Sequence, residues 1–322
     1  MDDHKELDSK AMGLMVALTA TWGLQQVALK LAASDMAPVF QIALRSGVAT
    51  LLIGGLALFQ GAGKALRPLL WPGLLAGLFF ALEFLLVGEG LKHTDASRMS
   101  IYLYTAPVFT ALGLHFVLPN ERLKGLQWLG IALAFAGVVT AFLGRDSTAH
   151  THNNHWIGDL MGVGAGLALA ATTLTIRFTP LSSAPATVTL FYQLLVASLL
   201  LGAVTAMTGQ THAQASLTLI GSLAFQTFIV CSLSFLVWFS LLRTYLASRL
   251  TIMTFLTPVF GVLFGVVLLK EPLGAGFIAG AVMVLAGIVL VSRKAVTPAR
   301  LRSVQPLTCV PPGARPPEDQ RL

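Results

Sequence analysis

Charge is what this sequence has least of. Asp, Glu, Lys and Arg make up 11% of its 322 residues, against about a quarter in a water-soluble domain. It has 2 cysteines, Cys231 in an apolar run and Cys309 near the end, too few and too far apart for a disulfide framework or a cysteine metal site. No glycine-rich phosphate loop precedes a Lys-Ser or Lys-Thr pair, which excludes an ATP-driven pump with its own nucleotide domain. His115 is the one histidine inside an apolar run, close to its end. An intramembrane enzyme, which needs a nucleophile with a base or a metal cluster in one plane, therefore finds no support. The net charge of +7 invites a nucleic-acid reading. The cations, however, stand at the ends of apolar runs and in the last thirty residues, not on one face among aromatics, so no nucleic-acid partner is expected.

What the chain has instead is 55% hydrophobic residues, gathered into ten runs. These are Ala11–Leu31, Val39–Gln60, Leu70–Leu91, Ser97–Leu118, Leu126–Leu143, Ile157–Phe178, Thr187–Met207, Leu217–Leu242, Ala247–Leu269 and Ala275–Val291. A helix rises 1.5 Å per residue and a hydrocarbon core is about 30 Å thick, so each run reads as a spanning helix. None alternates apolar and polar residues as barrel strands do. The expected fold is an all-α integral membrane protein of ten helices in a lipid bilayer. The first helix, preceded by polar residues and followed by no cleavage site, reads as an uncleaved anchor.

One block occurs twice. Ala96-Ser97-Arg98, Ile101, Pro107-Val108-Phe109 and Leu112 recur 151 positions later as Ala247-Ser248-Arg249, Ile252, Pro258-Val259-Phe260 and Leu263. After a one-residue gap, Glu121, Gly130 and Ala136-Gly137 meet Glu271, Gly280 and Ala286-Gly287. Apolar bias alone does not align Arg, Pro and Glu, so the chain is a duplication. Five spans per copy is an odd number, and the second copy must enter the membrane upside down. Inverted repeats of this kind characterise secondary transporters, in which two halves exchange conformations around a central site.

The expected organisation is an N-terminal tail over 1–10, a first repeat over 11–143, a linker over 144–156, a second repeat over 157–292 and a disordered tail over 293–322. Counting Lys and Arg with the N-terminus inside gives fifteen on the cytoplasmic side and five on the other. The positive-inside rule then places both termini in the cytoplasm and the linker in the periplasm. His150, His152 and His155 in that linker lack a carboxylate or cysteine cluster and read as a solvated loop rather than a metal site.

The duplicated block resembles the EamA repeat of the drug/metabolite transporter superfamily. The residues that carry the resemblance are Gly90-Leu91, Thr94-Asp95-Ala96-Ser97, Pro107-Val108-Phe109, Glu121, Gly130 and Ala136-Gly137, with Trp22-Gly23 in the first helix and Arg45 in the second. The second copy has Leu169-Ala170 for Trp-Gly and Tyr192 for Arg. The resemblance spans roughly residues 11 to 291. It implies ten helices, a bacterial inner-membrane carrier and export of small metabolites or drugs, without specifying one substrate.

Several polar side chains interrupt the apolar runs. Glu83 lies mid-span, where a carboxylate costs at least about 2.5–3.5 kcal/mol and must face a cavity, find a partner or hold a proton. It reads as a proton-coupling site, as a counter-ion for a cationic substrate, or as a structural carboxyl. Arg45 is the other intramembrane charge; it pairs with Glu83 or Glu89, holds an anionic substrate, or snorkels. Thr19, Trp22 and Gln26 share one face of the first helix, suited to a cavity wall or to a bridge between helices. Tyr102 and Thr105 lie on a stripe with Arg98 and Phe109; the matching stripe in the other copy is Arg249, Met253, Leu256 and Phe260, so the copies keep the ends and differ at the centre, as substrate contact or drift would make them. Thr227, Cys231, Ser234 and Trp238 share a face of the eighth span, suited to complete a small, mildly polar cavity. Pro107 and Pro258 each remove a helical hydrogen bond and should kink their helices, as hinges or as fixed bends. Glu121 and Glu271 read as interfacial ion pairs or caps. The function expected from all this is secondary transport of a small molecule, an exporter driven by protons or by the substrate gradient, with no cofactor. A non-transporting subunit or solute sensor is the alternative.

Overall fold

The computed structural model describes residues 8–118, 122–143, 155–245, 250 and 253–292. The 144–154 part of the expected linker, the tail beyond 292, Glu121 and Arg249 lie outside these residues. Nine helical stretches among the described residues are long and apolar enough to cross a membrane, and a tenth apolar helix is shorter.

In chain order, α1 (Ser9–Leu31) begins at Asp8, whose carboxylate accepts the Ala11 N–H at 2.7 Å and so satisfies an otherwise orphan donor. Next come α2 (Pro38–Phe59), a single turn α3 (Gly63–Leu66) and α4 (Leu70–Gly90). The fourth span is divided into α5 (Ala96–Leu103) and α6 (Ala106–Val117), and α7 (Gly125–Leu143) closes the first half. The second half runs α8 (His155–Phe178), α9 (Ala186–Met207), α10 (Leu217–Ala224), a π-helical segment over Phe225–Ser234, α11 (Phe235–Thr244), α12 (Leu256–Leu269) and α13 (Ala275–Ser292).

Each proline-bearing span breaks just ahead of its proline. Pro107 sits in the first turn of α6, directly after the break at Tyr104–Thr105, and has no N–H to return to the preceding turn. The second copy repeats the arrangement, with turn residues Thr254 and Phe255 ahead of Pro258 in α12.

Packing joins the halves rather than separating them. The last helix of each half, α7 and α13, lie along one another; α2 lies on α9, α4 on α8 and α9, and α1 on α12. In lipid no hydrophobic drive pulls apolar helices together, so close backbone approach through small residues holds the bundle. Gly130 and Gly137 on α7 interlock with Gly287 and Gly280 on α13: a methyl added at Gly137 would lie 2.7 Å from the Gly280 carbonyl oxygen. Large apolar side chains such as Leu51, Phe59, Trp71 and Leu143 point outward, a surface that only lipid can cover.

Gly137→Leu should therefore abolish the monodisperse folded peak in detergent size exclusion. Gly55→Leu, where a new side chain meets open space, should leave it intact. Equal profiles for the two variants would contradict the interlock.

Candidate functional site

Two groups of buried polar residues occupy the bundle, one at the end where α1 finishes and one deeper inside. The first is built on the duplicated block. Lys270 adopts a left-handed backbone (φ 56°) at the end of α12. The turn sends the following residue, Glu271, back against the start of α5 in the other half. There Glu271 Oε1 accepts the Ala96 N–H at 2.7 Å, while Oε2 accepts the Ser97 N–H at 2.9 Å and its hydroxyl at 2.5 Å. A carboxylate at a helix N-terminus meets unpaired N–H groups and the positive end of the helix dipole. The cap expected for Glu271 is thus present, but buried rather than solvated. Lys30 completes this corner, 3.0 Å from Asp95 and 3.5 Å from Glu271.

Beside it, Arg98 makes an ion pair with Asp159 of α8, which is fully buried. Asp159 also accepts the Thr94 hydroxyl at 2.5 Å, and Arg98 donates to the Ala141 carbonyl at 3.0 Å. Tyr102 belongs to this cluster: its hydroxyl lies 3.1 Å from the Arg98 guanidinium and its ring 5.2 Å from that of Phe142. The Thr105 hydroxyl is spent on the Tyr102 carbonyl at 2.6 Å. Glu89 pairs with Lys92 at 2.8 Å.

The deeper group centres on Arg45, 2% exposed, and Glu83, 4% exposed. The ion pair expected between Arg45 and Glu83 or Glu89 does not form. Arg45 Nη1 instead donates to Gln226 Oε1 at 3.1 Å, and its guanidinium lies 4.6 Å over the Phe84 ring. Gln226 is fixed in turn by Ser222 at 2.7 Å and Gln41 at 3.3 Å, and Gln41 donates to the Leu29 and Met36 carbonyls. Arg45 Nε, Glu83 Oε2, Gln26 Oε1 and Ser46 Oγ have no hydrogen-bond partner. Trp22 donates to Ser234 at 3.0 Å and meets Trp238 edge to face at 5.7 Å, so the aromatic positions chosen on the first and eighth spans do converge. The Thr19 hydroxyl, by contrast, returns to the Met15 and Val16 carbonyls of its own helix.

The π-helical segment supplies Gln226, Thr227, Cys231 and Ser234 to this group. Its wider turn is seen in the Ser232 hydroxyl, which donates five residues back to the Thr227 carbonyl at 2.9 Å. Gln226 and Asp159 are the functional-looking residues that the sequence reading passes over. Their signals were a lone amide in the apolar run after Phe225 and a lone acid in the first turns of a span. Among the described residues no group of three or more His, Cys, Asp or Glu could hold a metal ion.

An odd-numbered repeat whose motif caps the opposite half matches a known architecture. The model for "EamA-like transporter family" matches twice, at residues 9–143 and 156–293. The chain belongs to the EamA-like transporter family. That makes it a multi-pass membrane protein of a family of small-molecule transporters rather than enzymes. Similar proteins include "Uncharacterized transporter sll0355" of Synechocystis sp., 26% identical over 92% of this chain and 94% of that one. "Probable amino-acid metabolite efflux pump" of Salmonella typhimurium is 26% identical over 85% of this chain and 92% of its own length. The protein of the same name in Escherichia coli is 27% identical over the same shares. A solved structure described as "Crystal structure of protein" superposes with a TM-score of 0.61 at 17% identity, over 92% of this chain and 99% of that one, and supports the fold alone.

Proposed function

We propose that this EamA-like protein is a secondary transporter that exports small metabolites across a bacterial inner membrane by alternating access. Its termini lie in the cytoplasm, and the proton gradient or the substrate's own gradient drives it. The observation that carries the reading is the deep Arg45–Glu83 group: two intramembrane charges kept buried, with unpartnered atoms, between helices contributed by both halves. Ionisable residues inside a membrane bundle are costly and mark solute or proton paths. Pro107 and Pro258, at matching breaks in the two copies, serve as hinges, and the Glu271 cap with the Arg98–Asp159 pair fastens the end of the bundle where α1 finishes. The printed names of the Salmonella and Escherichia relatives put amino-acid metabolites among the solutes to test first.

Comparative metabolite profiling of cells with and without the gene, both inside and in the medium, tests export directly. Overproduction should raise the medium-to-cell ratio of a small set of metabolites several-fold, and deletion should lower it. Unchanged ratios across the profiled metabolites would overturn the export reading.

A further inference from the structure

The two halves are tied to one another through their connections, at both ends of the bundle. At the end where α1 finishes, the α9–α10 connection lies on the α1–α2 connection. Met36 and Ala213 pair there as an isolated antiparallel bridge. The Gln214 N–H donates to the Asp35 carbonyl at 2.8 Å, and the Ser216 hydroxyl donates to the Asp35 carboxylate at 2.5 Å. Ala32 and Met36 pack with Leu219 beside them. Gln210 ties the same connection to α4, accepting from Lys92 at 2.5 Å and donating to Glu89 at 3.1 Å.

At the other end of α2, its last turn and the segment after it meet the start of α9 and the turn before it. The Thr187 hydroxyl donates to Gln60 Oε1 at 3.2 Å, and the Tyr192 hydroxyl donates to the Leu66 carbonyl at 2.7 Å. Ala62 and Leu69 pack with Leu181 and Val188. Between these two contacts α2 and α9 lie along one another with little clearance. A methyl added at Gly47 would lie 2.9 Å from the Ser198 hydroxyl oxygen, and one at Gly54 would lie 3.0 Å from the Phe191 ring.

The two contacts are mates under the duplication. The connection after the first span of each half is 32–37 or 179–185, and that after the second span is 60–69 or 208–216. Each contact joins the first connection of one half to the second connection of the other. Inverted-repeat carriers turn from one side to the other by exchanging the conformations of their halves. Exchange carries every contact onto its mate, so a closure made at one end alone moves to the opposite end. A contact whose mate is also made is carried onto one already present. Both are made here, in a conformation that is not a symmetric midpoint. A methyl added at Gly158 of α8 would lie 2.8 Å from the Gly90 carbonyl oxygen of α4, so these helices meet backbone to backbone. The corresponding pair, α1 and the eighth span, meets through the Trp22, Ser222 and Trp238 side chains.

We infer that α2 and α9 form a fixed spine, clamped to each other at both ends of the bundle throughout the transport cycle, around which access alternates. The inference rests on the alternating-access reading above and adds which contacts stay made while it operates.

The test is chemical bridging in the full chain, with Cys231 and Cys309 replaced by alanine. Asp35→Cys with Ser216→Cys probes one clamp, and Gln60→Cys with Thr187→Cys probes the other. A short bis-methanethiosulfonate joins each pair without demanding the narrow geometry of a disulfide. A variant with all four changes should take both bridges in the same molecule, in nearly all of the protein, as read by intact mass. In proteoliposomes the bridged protein should keep counterflow of labelled L-leucine within twofold of the same protein after reduction. Mutual exclusion of the two bridges would overturn the inference, as would a tenfold loss of counterflow that reduction restores. Where the four-cysteine variant does not fold, the two pairs made separately decide by counterflow, with Met36→Cys and Ala213→Cys as the reserve pair for the first clamp. Bridging is read without flux, so a protein that takes both bridges but shows no counterflow before bridging counts against the transporter reading alone. Mutual exclusion in a protein that does transport counts against the spine alone.

Discussion

Glu83→Gln is expected to lower flux in proteoliposomes at least tenfold while leaving the yield and monodispersity of the folded protein unchanged. The two side chains have nearly the same shape, so the helix contacts of α4 survive. What disappears is the carboxylate that, among the described residues, acts on Arg45's charge. A charge at mid-membrane costs at least about 2.5–3.5 kcal/mol, so its removal should not destabilise the bundle and can stabilise it. A structural carboxyl would show the reverse pattern, with reduced folding and residual flux in proportion to the folded fraction. Normal, still proton-dependent uptake by the Gln variant would sink the assignment of Glu83 to the transport site.

Asp159→Ala is expected to lower stability sharply. The change leaves the half-buried Arg98, over the Tyr102 and Phe277 rings, without its ion-pair partner, and removes the acceptor of the Thr94 hydroxyl. Breaking a buried ion pair from one side costs about 3–5 kcal/mol, whereas replacing both partners with apolar side chains is often neutral. Thermal unfolding in detergent should show a large fall for Asp159→Ala and recovery of most of it in the double variant Arg98→Leu/Asp159→Leu. Additive losses in the double variant would mean that the two residues act independently and that the pair is not the fastening it is taken to be.

Much of the fold was written in the sequence as period and repetition. Ten apolar runs of about twenty residues fix the helices because the bilayer allows little else. The repeated Pro foretells the breaks before Pro107 and Pro258, since the missing N–H acts locally. Glu271 was legible as a cap because caps are built from a few neighbouring backbone groups. Its burial was not, since that depends on α5 of the other half lying over it.

The site was less legible, for the same physical reason. Glu83, Arg45, Trp22 and Trp238 stand out because a polar or aromatic group in lipid must be explained one at a time. Who meets whom is a property of helix rotation. A π-helical segment over Phe225–Ser234 shifts every later side chain around the axis, and nothing local to Gln226, which stands at its start, shows that it would take the Arg45 guanidinium. Tyr102 and Thr105 stand where the copies differ. The structure gives Tyr102 to the Arg98–Asp159 cluster and turns the Thr105 hydroxyl onto its own helix. Divergence between copies marked a place where the halves pack differently, and the unpaired charges one layer deeper mark the better candidate for solute contact.

Counterflow in proteoliposomes tests the central claim most directly, because it needs no ion gradient and reports whether one site faces each side in turn. Vesicles loaded with millimolar unlabelled L-leucine are diluted into trace labelled L-leucine. The account expects a transient, saturable accumulation of label that depends on Arg45 and Glu83 and is absent from protein-free vesicles. Saturable binding of L-leucine to the same preparation with no counterflow would contradict it, and would leave a solute sensor in the fold of a transporter.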